Sequence, residues 1–199
     1  MEENDARQAL VREGLSGYLL AVNAVKAFEQ QIQGIAQRVL MSRVQKIKDA
    51  GCYVEPPVIW PHQEEVNDAI ALGFGLSTCT SEKDGELRWS GIYSGVSWVR
   101  ADGDLAGFKA CARCELRVES GGRRDSLFTS LSKASAGDNL MSESAVLTKL
   151  NTQNGTQIRM PLSSDSSPGR VEEQLGEAIE SMTVLLAAAG GLRKAVLGR

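Results

Sequence analysis

The chain has 199 residues, a length that one hydrophobic core can organise. Hydrophobic residues make up 42% of it and charged residues 24%, which excludes an intrinsically disordered composition. The net charge of −3 gives no general electrostatic attraction for nucleic acid, so a nucleic-acid partner is not expected.

The composition also bears on compartment and membrane contact. The most apolar stretch, Met182 to Gly191, is shorter than the about 20 residues that a membrane-spanning helix needs. The acidic N-terminus lacks the pattern of a secretory signal. Four cysteines are too few for a disulfide scaffold in a chain of this length. We therefore expect a cytoplasmic protein with reduced thiols and no membrane partner.

The first predicted element is a helix over residues 4–50, ended by Gly51. If this helix is unbroken it is about 65 Å long, which exceeds the diameter of a domain of this size. Part of its apolar face is then expected to contact something outside the fold. A break at Gly14–Gly17 or at Gly34 is the alternative. The apolar residues recur at spacings of three and four, or at sums of these, and are Val11, Leu15, Tyr18, Val22, Val25, Ile32, Ala36 and Val39.

An antiparallel sheet is predicted over residues 68–163, where the apolar period changes to two. The prolines at 56, 57 and 61 predict an irregular segment before it. The first strand has bulky residues from Ile70 to Leu76 alternating with alanine and glycine, although a short helix over His62–Leu72 is a competing interpretation. Asp84-Gly85 and Asp102-Gly103 predict turns on either side of a strand over Leu87–Val99.

The most regular strand pattern covers Ala106–Glu119, where apolar residues alternate with charged residues and Cys111. Gly121-Gly122 predicts a further turn, which leads to another strand of the meander over Ser126–Lys133. The stretch Ala134 to Asn139 has the composition of a loop. Ala145–Leu150 and Gln157–Leu162 are predicted strands joined across Asn154-Gly155, with a longer loop or a bulge between them because their faces match poorly.

The last predicted element is a helix over residues 167–197. Ser167 favours a cap and Pro168 a first-turn position, and Gly190-Gly191 ends or bends the helix. The expected fold is one α+β domain, residues 1–199, in which an antiparallel meander of about five to six strands lies between a long N-terminal helix and a C-terminal helix packed on the sheet.

No motif in the chain has the marks of a catalytic or metal site, and no cofactor is expected. Cys111 and Cys114 form a Cys-x-x-Cys pair, but residues three apart on a strand point to opposite faces, which separates the two thiols. His62 is the only histidine and has no nucleophile motif to accompany it. Glu115-Leu-Arg117 has the acidic-x-basic spacing of metal-dependent nucleases, yet arginine is a poor proton donor or acceptor in such a site.

The leading hypothesis is therefore a non-enzymatic interaction or assembly protein that uses the apolar faces of its terminal helices to contact a protein partner or a second copy. The candidate contact residues are Val11, Tyr18, Val25, Ile32, Val39, Leu185, Leu186 and Leu192. An alternative is a domain that binds an apolar small molecule between a curved sheet and a helix, with Phe74, Trp89, Tyr93 and Trp98 lining the pocket. A nucleic-acid-binding or nuclease-like protein is the third hypothesis.

Overall fold

The computed structural model describes residues 2–52, 58–66, 69–79, 87–99, 110–120, 125–137, 140–150, 154–163 and 166–198. The helices in chain order are α1 (Glu2–Ser42), α2 (Val44–Asp49), α3 (Ser126–Gly137), α4 (Pro168–Ala188) and α5 (Leu192–Leu197). The strands are β1 (Ile59–Val66), β2 (Ala69–Cys79), β3 (Leu87–Val99), β4 (Ala110–Ser120), β5 (Val146–Lys149) and β6 (Asn154–Leu162). This arrangement confirms the predicted α+β fold.

The six strands form one antiparallel sheet in the order β1-β2-β3-β4-β6-β5. Because register partners point to the same side, the sheet has two chemically distinct faces. The helix face carries the aliphatic side chains of Leu72, Ile92, Leu116 and Ile158, which belong to one core with residues of all five helices. The opposite face, here called the polar face, carries His62, Tyr93, Arg113, Glu115 and Arg117 among others.

Several expectations about local structure were wrong. Pro61 lies within β1 instead of in an irregular segment, and the competing short helix over His62–Leu72 does not form. An edge strand tolerates proline because one side of its backbone has no strand to bond. Ser126–Lys133, expected as a strand, belongs to α3, as does most of the loop predicted from Ala134 onwards.

Two pairs of consecutive helices are separated by short breaks. The break between α4 and α5 contains glycines, whereas the break between α1 and α2 does not. α1 runs through Gly14, Gly17 and Gly34, so the alternative of a break at these glycines is wrong. The single helix predicted over residues 4–50 is also wrong in one respect, because α1 ends at Ser42 and α2 begins at Val44. The chain turns after α2 at Gly51 and after α4 at Gly190-Gly191, all with positive φ, which glycine adopts without strain. A side chain at Gly51 would meet the Cα of Gly191 at 2.9 Å, so these two turns pack directly against each other.

The predicted cap of the last helix is confirmed. The Ser167 side chain accepts a hydrogen bond from the Arg170 N–H, and Pro168 follows it at the first helical position. Asn154 and Gly155 lie inside β6 instead of in a two-residue turn, and Lys149 faces Thr156. The predicted turns at Asp84-Gly85, Asp102-Gly103 and Gly121-Gly122 lie outside the described residues.

Candidate functional site

The N-terminal half of α1 carries an apolar stripe that none of the residues described by the structure covers. Val11, Leu15, Tyr18 and Val25 are 68%, 55%, 65% and 54% exposed. Between residues 11 and 31 only Val22 and Glu29 are partly buried, and the first fully buried side chain is Ile32. A helical segment about 30 Å long therefore stands away from the core with its apolar side open. We call Val11, Leu15, Tyr18, Val22 and Val25 the α1 stripe.

The remaining predicted contact residues are occupied by this chain's own core. Ile32 and Val39, which continue the same helical face, pack against the sheet and α4. Leu185, Leu186 and Leu192 are also buried, because α4 and α5 lie on the helix face. Of the eight candidates, Val11, Tyr18 and Val25 are the ones left open for a contact outside the fold.

On the polar face, the neighbouring strands β2 and β3 approach each other closely at a pair of glycines, a position here called the crease. Gly73 faces Gly95 in the register, and a side chain added at Gly73 would collide with the Ser94 carbonyl oxygen and with the Gly95 Cα, 2.6 Å away. Next to this crease the Trp60 ring fills the space above Gly75, where an added Cβ would lie 2.8 Å from the indole. The glycines of β2 and β3 thus leave space on the polar face, and side chains from β1 and β4 meet in that space.

A network of charged side chains spans this crease. Arg117 on β4 binds both Glu115 on its own strand and Glu64 on β1. Arg113 Nη1 donates to Glu115 Oε2 at 2.9 Å. Glu115 is fully buried and Arg113 is 8% exposed, so each buried charge has an opposite charge beside it, as burial requires.

His62 and Tyr93 pack into the same network. Their rings lie 4.5 Å apart, and the Arg117 guanidinium lies 5.0 Å from the centre of the Tyr93 ring. Burial, together with the positive charges of Arg113 and Arg117, lowers the pKa of His62 to about 4. His62 Nε2 is 3.5 Å from Glu64 Oε2 but makes no hydrogen bond with the residues that the structure describes. The imidazole is therefore neutral at pH 7.

Arg117 also sets the charge state of its neighbour on β1. Burial alone would raise the pKa of Glu64, but the hydrogen bond and the charge of Arg117 hold that pKa below its ordinary value. Burial raises the pKa of Tyr93, which keeps the phenol protonated. The network thus contains two carboxylates, two guanidiniums, a neutral imidazole and a neutral phenol, and its charges balance.

This arrangement does not favour the nuclease-like hypothesis. Both carboxylate oxygens of Glu115 accept hydrogen bonds from arginines. A divalent metal needs carboxylate oxygens that are free to bind it. Among the described residues, no group of three His, Cys, Asp or Glu side chains is placed to hold a metal ion. The network could not be predicted from the sequence because it joins residues of β1 to residues of β4, which are far apart in the chain. The small residues of β2 and β3 were the one local feature of the sequence that pointed to it.

The two cysteines of the Cys-x-x-Cys pair lie on opposite sides of the sheet. Cys111 faces Ser97 on the polar face, whereas Cys114 faces Ser94 on the helix face. Both are fully buried, and burial raises the pKa of each thiol above its ordinary value. This placement confirms the prediction that the two sulfurs do not converge.

The residues proposed for an apolar pocket are also divided by the sheet. Phe74 and Trp98 point to the helix face, where the Trp98 ring packs edge-on against Phe28 at 5.9 Å. Tyr93 points to the polar face and packs against Trp60, also at 5.9 Å. The side chain of Trp89 lies outside the described residues. Phe74, Trp98 and Tyr93 therefore do not line a common cavity.

No protein-family model, no curated protein and no solved structure matches this chain. None of the helices that the structure describes combines the length and the apolar composition of a membrane span.

Proposed function

We propose that this protein is a non-enzymatic assembly protein that associates with a second copy of itself through the α1 stripe. The observation that carries the proposal is the exposure of Val11, Leu15, Tyr18 and Val25 on one side of a continuous helix. A contiguous exposed apolar surface of this kind marks a contact with another molecule.

The exposed segment also needs a partner for its own stability. It contains Gly14 and Gly17, each of which weakens a helix by about 1 kcal/mol relative to alanine. Three β-branched valines, at 11, 22 and 25, favour the helix less than leucine or alanine would. Most helical stability in proteins comes from packing an apolar face, and within the described residues this segment packs against little beyond Trp98. A partner helix supplies that packing.

The sequence of the stripe favours a two-helix coiled coil. From Val11 to Val39 the positions 11, 15, 18, 22, 25, 29, 32, 36 and 39 alternate at spacings of four and three, which is the repeat of a coiled-coil seam. Glu29 is the one charged residue in this series. No charged residue occurs between Gly14 and Val25, so the middle of the seam is apolar.

An antiparallel pair of α1 helices places these residues in complementary positions. Consider two copies related by a two-fold axis that passes between the helices at the level of residue 20, whose side chain points away from the partner. Leu15 of one copy then faces Val25 of the other, and Tyr18 faces Val22. Glu29 then lies opposite Val11 and next to Arg12 of the second copy, which pairs opposite charges. A parallel pair would bring Glu29 against Glu29, a repulsive contact. The antiparallel arrangement therefore fits this sequence better.

Size-exclusion chromatography with light scattering, run over a concentration series, tests the proposal. Leu15 and Leu20 form a matched pair, because both are exposed leucines on the same helix but only Leu15 belongs to the stripe. We expect a dimer for the native protein and for Leu20→Lys, and association at least about tenfold weaker for Leu15→Lys because a buried leucine contributes about 2 kcal/mol. A native protein that stays monomeric throughout, or equal effects of the two substitutions, would overturn the proposal.

A further inference from the structure

A cleft of about 600 Å³ lies where the end of β6 meets the first two turns of α4. This volume is within the range of about 300 to 1,000 Å³ that small-molecule sites have. Its wall includes the apolar side chain of Leu162 and the hydroxyls of Ser163, Ser166 and Ser167. Arg170 is the one charged residue among the described residues that line it.

The N-cap residue of α4 and two residues of its first two turns face the cleft in one line. Ser167, Arg170 and Gln174 follow one another at spacings of three and four, which places them on the same side of the helix. The cleft therefore begins at the N-terminus of a 21-residue helix, where the backbone dipole favours negative charge. Arg170 Nη1 binds Glu173 at 2.6 Å. A guanidinium has five N–H groups, so the same side chain can bind a second acceptor.

Gln174 gives independent evidence for a ligand. It is 4% exposed, and its Oε1 has no hydrogen-bond donor among the described residues. Leaving a buried polar atom without a partner costs about 1 to 3 kcal/mol. Gln174 borders the cleft, which places its unpartnered amide beside the space that a ligand would fill. A molecule in the cleft that donates a hydrogen bond to this amide would remove the cost.

From these observations we propose that the cleft binds a small phosphate monoester. The phosphoryl oxygens accept hydrogen bonds from Arg170 and the serine hydroxyls at the start of α4, the arrangement that suits a phosphate best. Gln174 lies seven residues after Ser167, about 10 Å further along the helix axis, so inorganic phosphate alone does not reach both. The body of the ester contacts Leu162 and donates an O–H or N–H group to Gln174.

Isothermal titration of the full-length protein at fixed ionic strength tests this site. The probes are inorganic phosphate, ribose 5-phosphate, glycerol phosphate, adenosine monophosphate and unphosphorylated ribose. We expect saturable binding of one ester or more, weaker binding of inorganic phosphate and none of ribose. Absence of saturable binding for all the phosphorylated probes would overturn the proposal.

Two substitutions separate the phosphate contact from the contact with the ester body. Arg170→Gln should weaken binding of both inorganic phosphate and the ester at least about tenfold, the effect of losing a charge-assisted hydrogen bond. Gln174→Met should weaken the ester alone by a similar factor. The matched control is Arg38→Gln, which removes an exposed arginine that pairs with Glu172 on α4 outside the cleft. Equal losses in Arg38→Gln and Arg170→Gln would show general charge attraction and overturn the assignment.

Discussion

Glu64 on β1 and Arg117 on β4 form an ion pair although two strands, β2 and β3, lie between them in the sheet. Glu64 is level with Cys111 in the register, six residues from Arg117 on β4. With about 4.8 Å between neighbouring strands and about 3.3 Å per residue along a strand, these two side chains would start about 24 Å from each other on a flat sheet. They meet because the sheet bends toward its polar face at Gly73 and Gly95, which leave no side chains in the way. The pair therefore connects the edge strand to the middle of the fold.

The first prediction concerns that ion pair. Glu64→Gln leaves Arg117 with Glu115 alone in a partly buried site, and we expect the free energy of unfolding at pH 7 to fall by about 1 to 2 kcal/mol. Glu180→Gln is the matched control, because Glu180 pairs with Lys46 at 2.7 Å on an exposed surface and such pairs contribute about 1 kcal/mol or less. Urea unfolding of both variants measures the difference. If Glu64→Gln lowered the free energy of unfolding less than Glu180→Gln does, the stabilising role of the ion pair between Glu64 and Arg117 would be contradicted.

The second prediction concerns pH and His62. Its pKa is about 4 in the folded protein and 6.5 as the ordinary value, so the unfolded chain binds more protons between these two pH values. The free energy of unfolding should therefore decrease as pH is lowered from 6.5 to 4, by on the order of 2 kcal/mol, and this contribution should change no further below pH 4. The lowered pKa of Glu64 acts only below its ordinary value of 4.5.

His62→Gln isolates this effect, since the chain has no other histidine. Urea unfolding between pH 7 and pH 5 should show a flatter dependence on pH for the variant than for the native protein. Nuclear magnetic resonance of the single imidazole in the folded protein should show no titration until the pH approaches 4. An imidazole that titrates near 6.5 would place His62 in water and contradict its packing against Tyr93.

The third prediction tests the crease itself. Gly73→Ala forces a methyl group against the backbone of β3, and we expect a loss of about 3 kcal/mol or more, at the upper end of overpacking costs. Gly34→Ala is the control within α1, where the added carbon meets only Arg38 at 3.8 Å. There the change should stabilise the protein by up to about 1 kcal/mol, because alanine favours a helix. Thermal unfolding distinguishes the two, and equal effects would contradict the close approach of β2 and β3.

Local sequence signals predicted the elements whose causes are local. The spacing of apolar residues identified α1, and Ser167 with Pro168 identified the start of α4, because a helix face and a cap depend on a few neighbouring residues. α3 was misassigned although Leu127, Leu131 and Ala134 have helical spacing; the preceding turn pattern suggested a continued meander. The ion pair of Glu64 with Arg117 was beyond such reasoning, since it depends on strand order and on the bend of the whole sheet.

The fourth prediction concerns the thiols. Cys52, Cys111 and Cys114 are buried, and burial raises the pKa of the latter two thiols. Since the thiolate is the reactive form, these three should not react with Ellman's reagent in the folded protein and should react once guanidinium unfolds it. Cys79→Ser, which removes the fourth cysteine, makes the measurement specific to them. Rapid reaction of two thiols in the native state, or a Cys111–Cys114 disulfide formed without unfolding, would contradict the assignment of the two cysteines to opposite faces.

The fifth prediction concerns the direction of the α1 helices in the proposed dimer. In the antiparallel pair Leu15 of one copy faces Val25 of the other, so a Leu15→Cys chain mixed with a Val25→Cys chain should form an intermolecular disulfide on mild oxidation. Leu15→Cys alone should not, because its two thiols lie near opposite ends of the paired segment, about 15 Å apart along the axis at 1.5 Å per residue. Non-reducing electrophoresis distinguishes the mixed and single samples, with Leu20→Cys as the control outside the stripe. Efficient cross-linking of Leu15→Cys alone would indicate parallel helices, and the opposition of Glu29 to Val11 would then be wrong.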